Sequence, residues 1–342
     1  MMKQMKKWGL LSFILLVMMA IVVGCNSEEV QTETNEDSEV SSEAITKEEE
    51  ENKDENSNDS IGGQQFPVSV IDGTGQEVTI EKEPKTIVSL QASNTEVSFA
   101  LGLEEKIVGV SDFCNYPAEA LEVDKVGAQD MNVELILSML PDLALVSAYH
   151  YNNHAEILNQ FKDAGINVIV VGDASNFNDV YEKIELIGAV TGATAEAEVI
   201  VTDMQKRLET VKGLAKEVTE QKKIWVEVAP APDIFTTGQG TFMHEMLEVI
   251  NAINAAGEHE GWVMLTEEEI VQLNPDVIIT TYGSYYENPE QSVLSRDGWS
   301  DVSAIKSEQV FDVEGDIVVR PGPRLIEGVE HIAKYIYPEI FN

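Results

Sequence analysis

The stretch from Thr194 to Glu220 constrains this fold more than any other. Ala197, Ile200, Met204, Leu208, Val211, Ala215 and Val218 recur at steps of three and four, which places them on one face of a helix. Gln205, Lys206, Glu209 and Lys212 keep the opposite face in water, and Thr194 stands where a helix-capping residue is expected. At 1.5 Å per residue such a helix is about 35–40 Å long. Strand-like and helix-like segments alternate both before and after it. The pattern predicts an α/β protein of two lobes with mostly parallel sheets, joined by a single long rigid interlobe helix, with a ligand cleft between them. The expected organisation is a lobe over 63–193, the connector over 194–220 and a second lobe over 221–342.

In the first lobe, Val68–Ile71 and Glu77–Ile80 flank Asp72-Gly73-Thr74-Gly75 and read as a hairpin. Strands are expected at Thr86–Leu90, Ile107–Val110, Leu143–Val146 and Val168–Val171. Helices are expected after Ser93-Asn94-Thr95-Glu96, which has capping-box spacing, and over Val133–Met139, Ala155–Ala164 and Asn178–Val190. The second lobe repeats this grammar. Its expected strands are Lys223–Val228, Val277–Thr280, Val310–Val313 and Ile317–Val319, and its helices Phe242–Ile250, Glu267–Leu273 and Leu325–Ile336. One internal echo stands out. Glu134 to Val146 and Glu268 to Thr280 both read as a short helix, a Pro-Asp break and a buried strand, each with a Glu seven residues ahead of its Pro. Either Glu favours its helix N-terminus through the dipole, and the matching positions allow a shared further role.

The amino terminus has the features of an export signal. Lys3, Lys6 and Lys7 precede the apolar run Leu10–Val23, which is short for a membrane span. Val22-Val23-Gly24-Cys25 resembles a bacterial lipobox, which predicts cleavage after residue 24 and acylation of Cys25 with diacylglyceryl and palmitate-type chains. Residues 25–62 are rich in Glu, Asp, Ser, Thr and Asn and read as a disordered acidic tether. The expected location is therefore the extracytoplasmic face of a cell membrane. With Cys25 acylated, Cys114 has no partner for a disulfide. The net charge of −39 excludes nucleic-acid binding, which needs clustered Lys and Arg.

Arg207, Arg296, Arg320 and Arg324 are the only arginines, and two of them border the stiff turn Pro321-Gly322-Pro323. Asp316 stands four residues before Arg320, placed to hold its guanidinium or to accept from a ligand amide. Phe113, Tyr116, Tyr149 and Tyr151 follow first-lobe strands, and Phe235, Trp262, Tyr282, Tyr285 and Tyr286 lie in second-lobe loops. Aromatics on both sides of a hinge suit a large, partly apolar ligand, bound beyond the carboxyl ends of the strands. The chain lacks a Gly-x-Ser-x-Gly elbow, a phosphate loop and a Cys-x-x-Cys pair, so no enzyme activity is expected. His150 and His154 have helical ligand spacing where a helix is only beginning, and no metal site is assigned to them.

These residues carry a resemblance. Ile87-Val88-Ser89-Leu90 with Ser93-Asn94-Thr95-Glu96, Val108-Gly109-Val110 with Tyr116-Pro117, Leu140-Pro141-Asp142-Leu143, Phe235-Thr236-Thr237-Gly238, Gly298-Trp299 and Arg320-Pro321-Gly322-Pro323-Arg324 are similar to stretches of the substrate-binding lipoproteins of ABC importers for cobalamin, haem and iron–siderophores. The similarity runs from about Phe66 to the carboxyl terminus and is greatest to the cobalamin-binding members. It implies a monomeric, lipid-anchored binding protein that hands a transported corrinoid to a permease and its ATPase, with no cofactor of its own. It further implies a cleft lined by Phe113, Phe235, Trp262, Asp316 and Arg320, with Tyr149 nearby, and docking of the permease through Glu134 and Glu268; Tyr282 is expected in the same cleft from its loop position. The chain departs from those relatives near Ala128-Gln129-Asp130 and at Ser147, where they carry tryptophans. Haem and iron–siderophores are the alternative ligands. A two-lobed metalloenzyme needs cluster-binding cysteines that Cys114 alone does not supply, and a surface adhesin would bind no small molecule.

Overall fold

The computed structural model describes residues 64–342. The expected signal segment, Cys25 and the acidic tether lie outside the described residues.

The first lobe opens with the antiparallel hairpin β1 (Val68–Ile71) and β2 (Glu77–Ile80). Then follow β3 (Ile87–Ser89), α1 (Ala92–Ala100), β4 (Ile107–Val110), α2 (Val133–Met139), β5 (Leu143–Ser147), α3 (Ala148–Asn153), α4 (Ala155–Asp163), β6 (Asn167–Val171) and α5 (Phe177–Thr191). Strands β3 to β6 form a parallel sheet in the order β4-β3-β5-β6. Every residue of β3 and β5 is buried, as a sheet covered on both faces requires.

Helix α6 (Thr194–Ala215) leads to the second lobe. There follow β7 (Lys223–Glu227), β8 (Phe235–Thr237), α7 (Phe242–Val249), β9 (Ile253–Asn254), β10 (Trp262–Met264), α8 (Glu267–Leu273), β11 (Val277–Thr280), α9 (Pro289–Leu294), α10 (Ser303–Lys306), β12 (Val310–Asp312), α11 (Gly315–Val319) and α12 (Leu325–Ile336). The sheet here runs β12-β11-β7-β9, again all parallel, and β8 pairs with β10 in a separate antiparallel ribbon.

Helix α6 is the connector that the apolar spacing predicts. Its buried face carries Ala197, Val201, Met204, Leu208, Val211 and Ala215, and it packs on α5, α7 and α12. Arg207 clamps Glu330 of α12 with two bonds of 2.8 and 2.9 Å. At its start, α5 and α6 lie so close that a Cβ on Gly188 would stand 2.6 Å from that of Ala197. One continuous core runs from β3 and β5 across α6 to β7, β11 and α12, which makes the connector a rigid element of both lobes.

Four local expectations are corrected. The helix ends at Ala215, where Glu217 and Val218 tighten into a turn by donating to Leu214 and Ala215, so the apolar period outlasts the helix. Thr194 is the first helical residue rather than the cap, and its hydroxyl turns to the side-chain carbonyl of Gln64. Helix α1 begins at Ala92, with Ser93 to Glu96 buried inside it instead of capping it, because Glu96 is taken by arginines of the other lobe. Ile317–Val319 belongs to a short helix, not a strand. A Cβ at Gly315 would meet the Thr281 carbonyl oxygen at 2.3 Å, and a run of three apolar residues does not distinguish the two states.

Candidate functional site

In a parallel sheet whose strand order reverses, the crevice lies beyond the carboxyl ends of the strands at the reversal. In the first lobe that point is β3, flanked by β4 and β5. A cavity of about 260 Å³ opens there, bordered by Gln91 after β3, Ser111 and Phe113 after β4, and Ser147, Tyr149 and His150 at the end of β5. Phe113 is 65 % exposed and Tyr149 42 %, so both present apolar surface with nothing packed over it. His150 holds the cavity wall. One ring nitrogen, Nδ1, lies 2.8 Å from the Ser147 hydroxyl, and the other, Nε2, 3.0 Å from the Ala128 carbonyl oxygen. Burial pushes its pKa below the ordinary histidine value. With both nitrogens engaged, His150 is a wall-holding residue and not a ligand. No group of three or more metal-ligating side chains occurs among the described residues.

The second lobe carries an exposed apolar surface on the ribbon of β8 and β10, which the sequence pattern did not reveal. Trp262 pairs with Thr237 and Met264 with Phe235. Side chains two apart on a strand, and those directly opposite across a pair, share a face. Phe235, Trp262 and Met264 therefore form one apolar surface, 40, 49 and 56 % exposed. Met264 was missed because a lone methionine in a short strand carries no periodic signal.

Tyr282 is a correction. It is fully buried, its hydroxyl donates to Glu227 at 2.6 Å, and both its burial and that carboxylate hold its pKa far above the phenol range. Glu227 is buried too and is paired with Arg296, which stacks on Trp299 at 4.7 Å. Tyr282 thus supports the loop from below, and the aromatics that reach solvent from this loop are Tyr285 and Tyr286, packed on it at 6.2 and 5.5 Å between ring centres.

A polar seam joins the two lobes. Glu96, from α1 in the first lobe, is 2 % exposed and accepts two bonds from Arg324 at 2.8 and 3.0 Å. Arg320 approaches the same carboxylate at 3.5 Å and pairs with Asp316 at 2.9 Å. Arg324 also reaches Glu314 at 3.2 Å and stacks 3.6 Å above Tyr116. Asn115 bridges Asp316 and Arg320. Arg320 and Arg324 are thus both held at Glu96 and are 11 and 12 % exposed, while Asp316, at 31 %, keeps more of its surface in solvent. Cys114, one residue before Asn115, is buried against the Thr95 hydroxyl, and burial raises its pKa, so it is a packed thiol.

The internal echo is also an echo in structure. Helices α2 and α8 each span seven residues and end on a residue in the left-handed region, Leu140 and Asn274. After each, the Asp of Pro-Asp turns back to the start of a neighbouring strand. Asp142 accepts from the Lys85 and Thr86 amides, and Asp276 from Lys223. Glu134 and Glu268 lie in the first turns of these helices and are exposed.

A sequence profile of the family described as "Periplasmic binding protein" matches residues 87–316, and the chain belongs to that family. A Bacillus subtilis protein named as an uncharacterized ABC transporter substrate-binding lipoprotein, YvrC, is 49 % identical over 279 residues, covering 81 % of this chain and 88 % of its own. A protein of Halobacterium salinarum named as a cobalamin-binding protein is 26 % identical over 277 residues, 78 % of this chain and 73 % of its own. Among solved structures, a possible iron-binding periplasmic solute-binding protein of Staphylococcus epidermidis superposes with a TM-score of 0.67 at 32 % identity, covering 75 % of this chain and all of the other. The chain is thus a substrate-binding protein of an ABC transporter. It works with a permease and an ATPase, and it is not an enzyme.

Proposed function

We propose that this protein captures a corrinoid such as cobalamin in the interlobe cleft and delivers it to its permease. The observation that carries this reading is the pairing of two exposed aromatic walls with one Asp–Arg pair. Phe113 and Tyr149 are exposed on the first lobe and Phe235, Trp262 and Met264 on the second, and Asp316 and Arg320 of the second lobe reach Asn115 of the first. A corrinoid offers a broad apolar face and many neutral amides. A ferric catecholate siderophore carries several negative charges and calls for a cluster of free cations. Here Arg324 and Arg296 are already bound to buried carboxylates. The second reading is haem, and it is favoured by Tyr149, a half-exposed phenol on the cavity rim placed to ligate iron.

The test is the absorption spectrum of the pure protein after incubation with cyanocobalamin, haemin or a ferric hydroxamate and removal of free ligand. Corrinoid bands retained at one equivalent support the first reading. Retention of haemin alone transfers the assignment to haem. We further propose that the chain acts as a monomer anchored through acylated Cys25, so that Cys25→Ala releases it from the membrane fraction. An unchanged membrane-bound fraction would remove the anchor from the proposal.

A further inference from the structure

Asn115 lies in the loop after β4, two residues past Phe113, with its side chain exposed. Its Nδ2 donates to Asp316 Oδ2 at 2.9 Å, and its Oδ1 accepts from Arg320 Nη1 at 2.9 Å. Arg320 Nη2 in turn lies 2.9 Å from Asp316 Oδ1. Carboxylate, guanidinium and primary amide close a ring across the seam. The direction of the amide is set by its partners. Turned over, its NH2 would face guanidinium donors and its oxygen a carboxylate, and neither pair bonds. The Asp316–Arg320 pair therefore presents one acceptor and one donor at the spacing of a primary carboxamide, and a side chain of this protein already occupies them.

We propose that Asn115 occupies the Asp316–Arg320 pair as an internal surrogate in the unliganded protein, and that a primary amide of the ligand displaces it. The inference rests on the corrinoid reading above and sharpens it, since corrinoid side chains end in primary amides. Three features make the displacement feasible. Asn115 is held by these two side-chain bonds and is exposed, so it swings into water without uncovering a core. Arg320 and Asp316 keep each other when it leaves, so the incoming amide meets a pre-set pair. The Glu96–Arg324 clamp beside it keeps the lobes joined throughout. The same geometry selects against carboxylates. A propionate can satisfy Arg320 but brings a second negative charge to Asp316, where a donor is needed.

The surrogate competes with the ligand, so removing it should tighten binding. Two exposed hydrogen bonds together correspond to about a tenfold change in affinity. The experiment is calorimetric titration of wild type, Asn115→Ala and the near-isosteric Asn115→Leu with cyanocobalamin, with the corrinoid whose peripheral amides have been hydrolysed to acids, and with haemin. The expected result is that both variants bind cyanocobalamin about tenfold more tightly than wild type. Wild type should bind the acid form at least tenfold more weakly than cyanocobalamin, and haemin affinity should not rise in either variant. If wild type binds cyanocobalamin and neither variant binds it more tightly, the surrogate is refuted and the corrinoid reading stands. If the variants gain affinity for haemin to the same degree, carboxamide selectivity is refuted. If neither wild type nor the variants bind cyanocobalamin, the corrinoid reading fails and the inference fails with it. A residue that merely ties the lobes together would lower the melting temperature and weaken binding in the same variants, the opposite sign in the titration.

Discussion

Glu96→Gln tests the polar seam most directly, because it removes one charge and nearly nothing else. The carboxylate is 2 % exposed and faces two guanidinium groups, those of Arg320 and Arg324, which are 11 and 12 % exposed. Removing one partner from a buried ion pair costs about 3–5 kcal/mol, because the opposite charge stays buried without compensation. Asp316 and Glu314 still contact the outer sides of the two arginines and are only partly buried, which points to the lower end, about 3 kcal/mol. For a folded unit of roughly 280 residues, an unfolding entropy of about 2.1 cal/mol/K per residue gives about 0.6 kcal/mol/K, so the midpoint should fall by about 5 °C. Differential scanning calorimetry of wild type, Glu96→Gln, Arg324→Gln and the double variant measures this and closes a cycle. The coupling between the two positions should exceed about 1 kcal/mol. A Glu96→Gln midpoint within about 1 °C of wild type, or independent effects of the two substitutions, would refute the argument that this clamp joins the lobes.

Phe235→Ala should weaken ligand binding by about 1–3 kcal/mol through lost apolar contact, and ligand quenching of tryptophan fluorescence should shrink in Trp262→Phe. Undiminished quenching would move Trp262 out of the site. The pair Glu134→Ala with Glu268→Ala should leave ligand affinity within about threefold while cellular uptake falls sharply, since two exposed carboxylates on a rigid body steer docking rather than binding. Normal uptake would leave them only a role at the helix termini. His150 has its pKa lowered by burial from the ordinary 6.5, so the unfolded chain takes up a proton that the folded chain resists. Its contribution to stability is complete above about pH 6.5 and is lost as pH falls below that value. In His150→Gln the fall of the melting temperature between about pH 6.5 and 5 should flatten, and an unchanged slope would assign the acid sensitivity elsewhere.

Periodic features were legible in the sequence because periodicity is a local property. The connector helix, the fully buried strands β5 and β11 and the twin helices α2 and α8 each repeat a pattern within a few turns, and burying that pattern admits one kind of element. The aromatic loop after β4 was legible because strand ends locate loops, whereas Tyr149 and Tyr151 lie in helix α3, which follows β5 directly with Ser147 as its cap. Tertiary structure alone decided which charged groups remained free. Arg324 and Arg320 reach Glu96 more than two hundred residues away, and that contact turned an apparent capping box into the buried turn of a helix. Tyr282 and Tyr285 look alike in sequence, yet a buried Glu227–Arg296 pair draws one into the core and leaves the other in water. The ribbon that sets Phe235, Trp262 and Met264 on one face joins strands of three residues each, too short to show a period. Long-range ion pairs and short cross-strand pairings leave no local trace, so the walls and the seam of the cleft became visible only once the chain was folded.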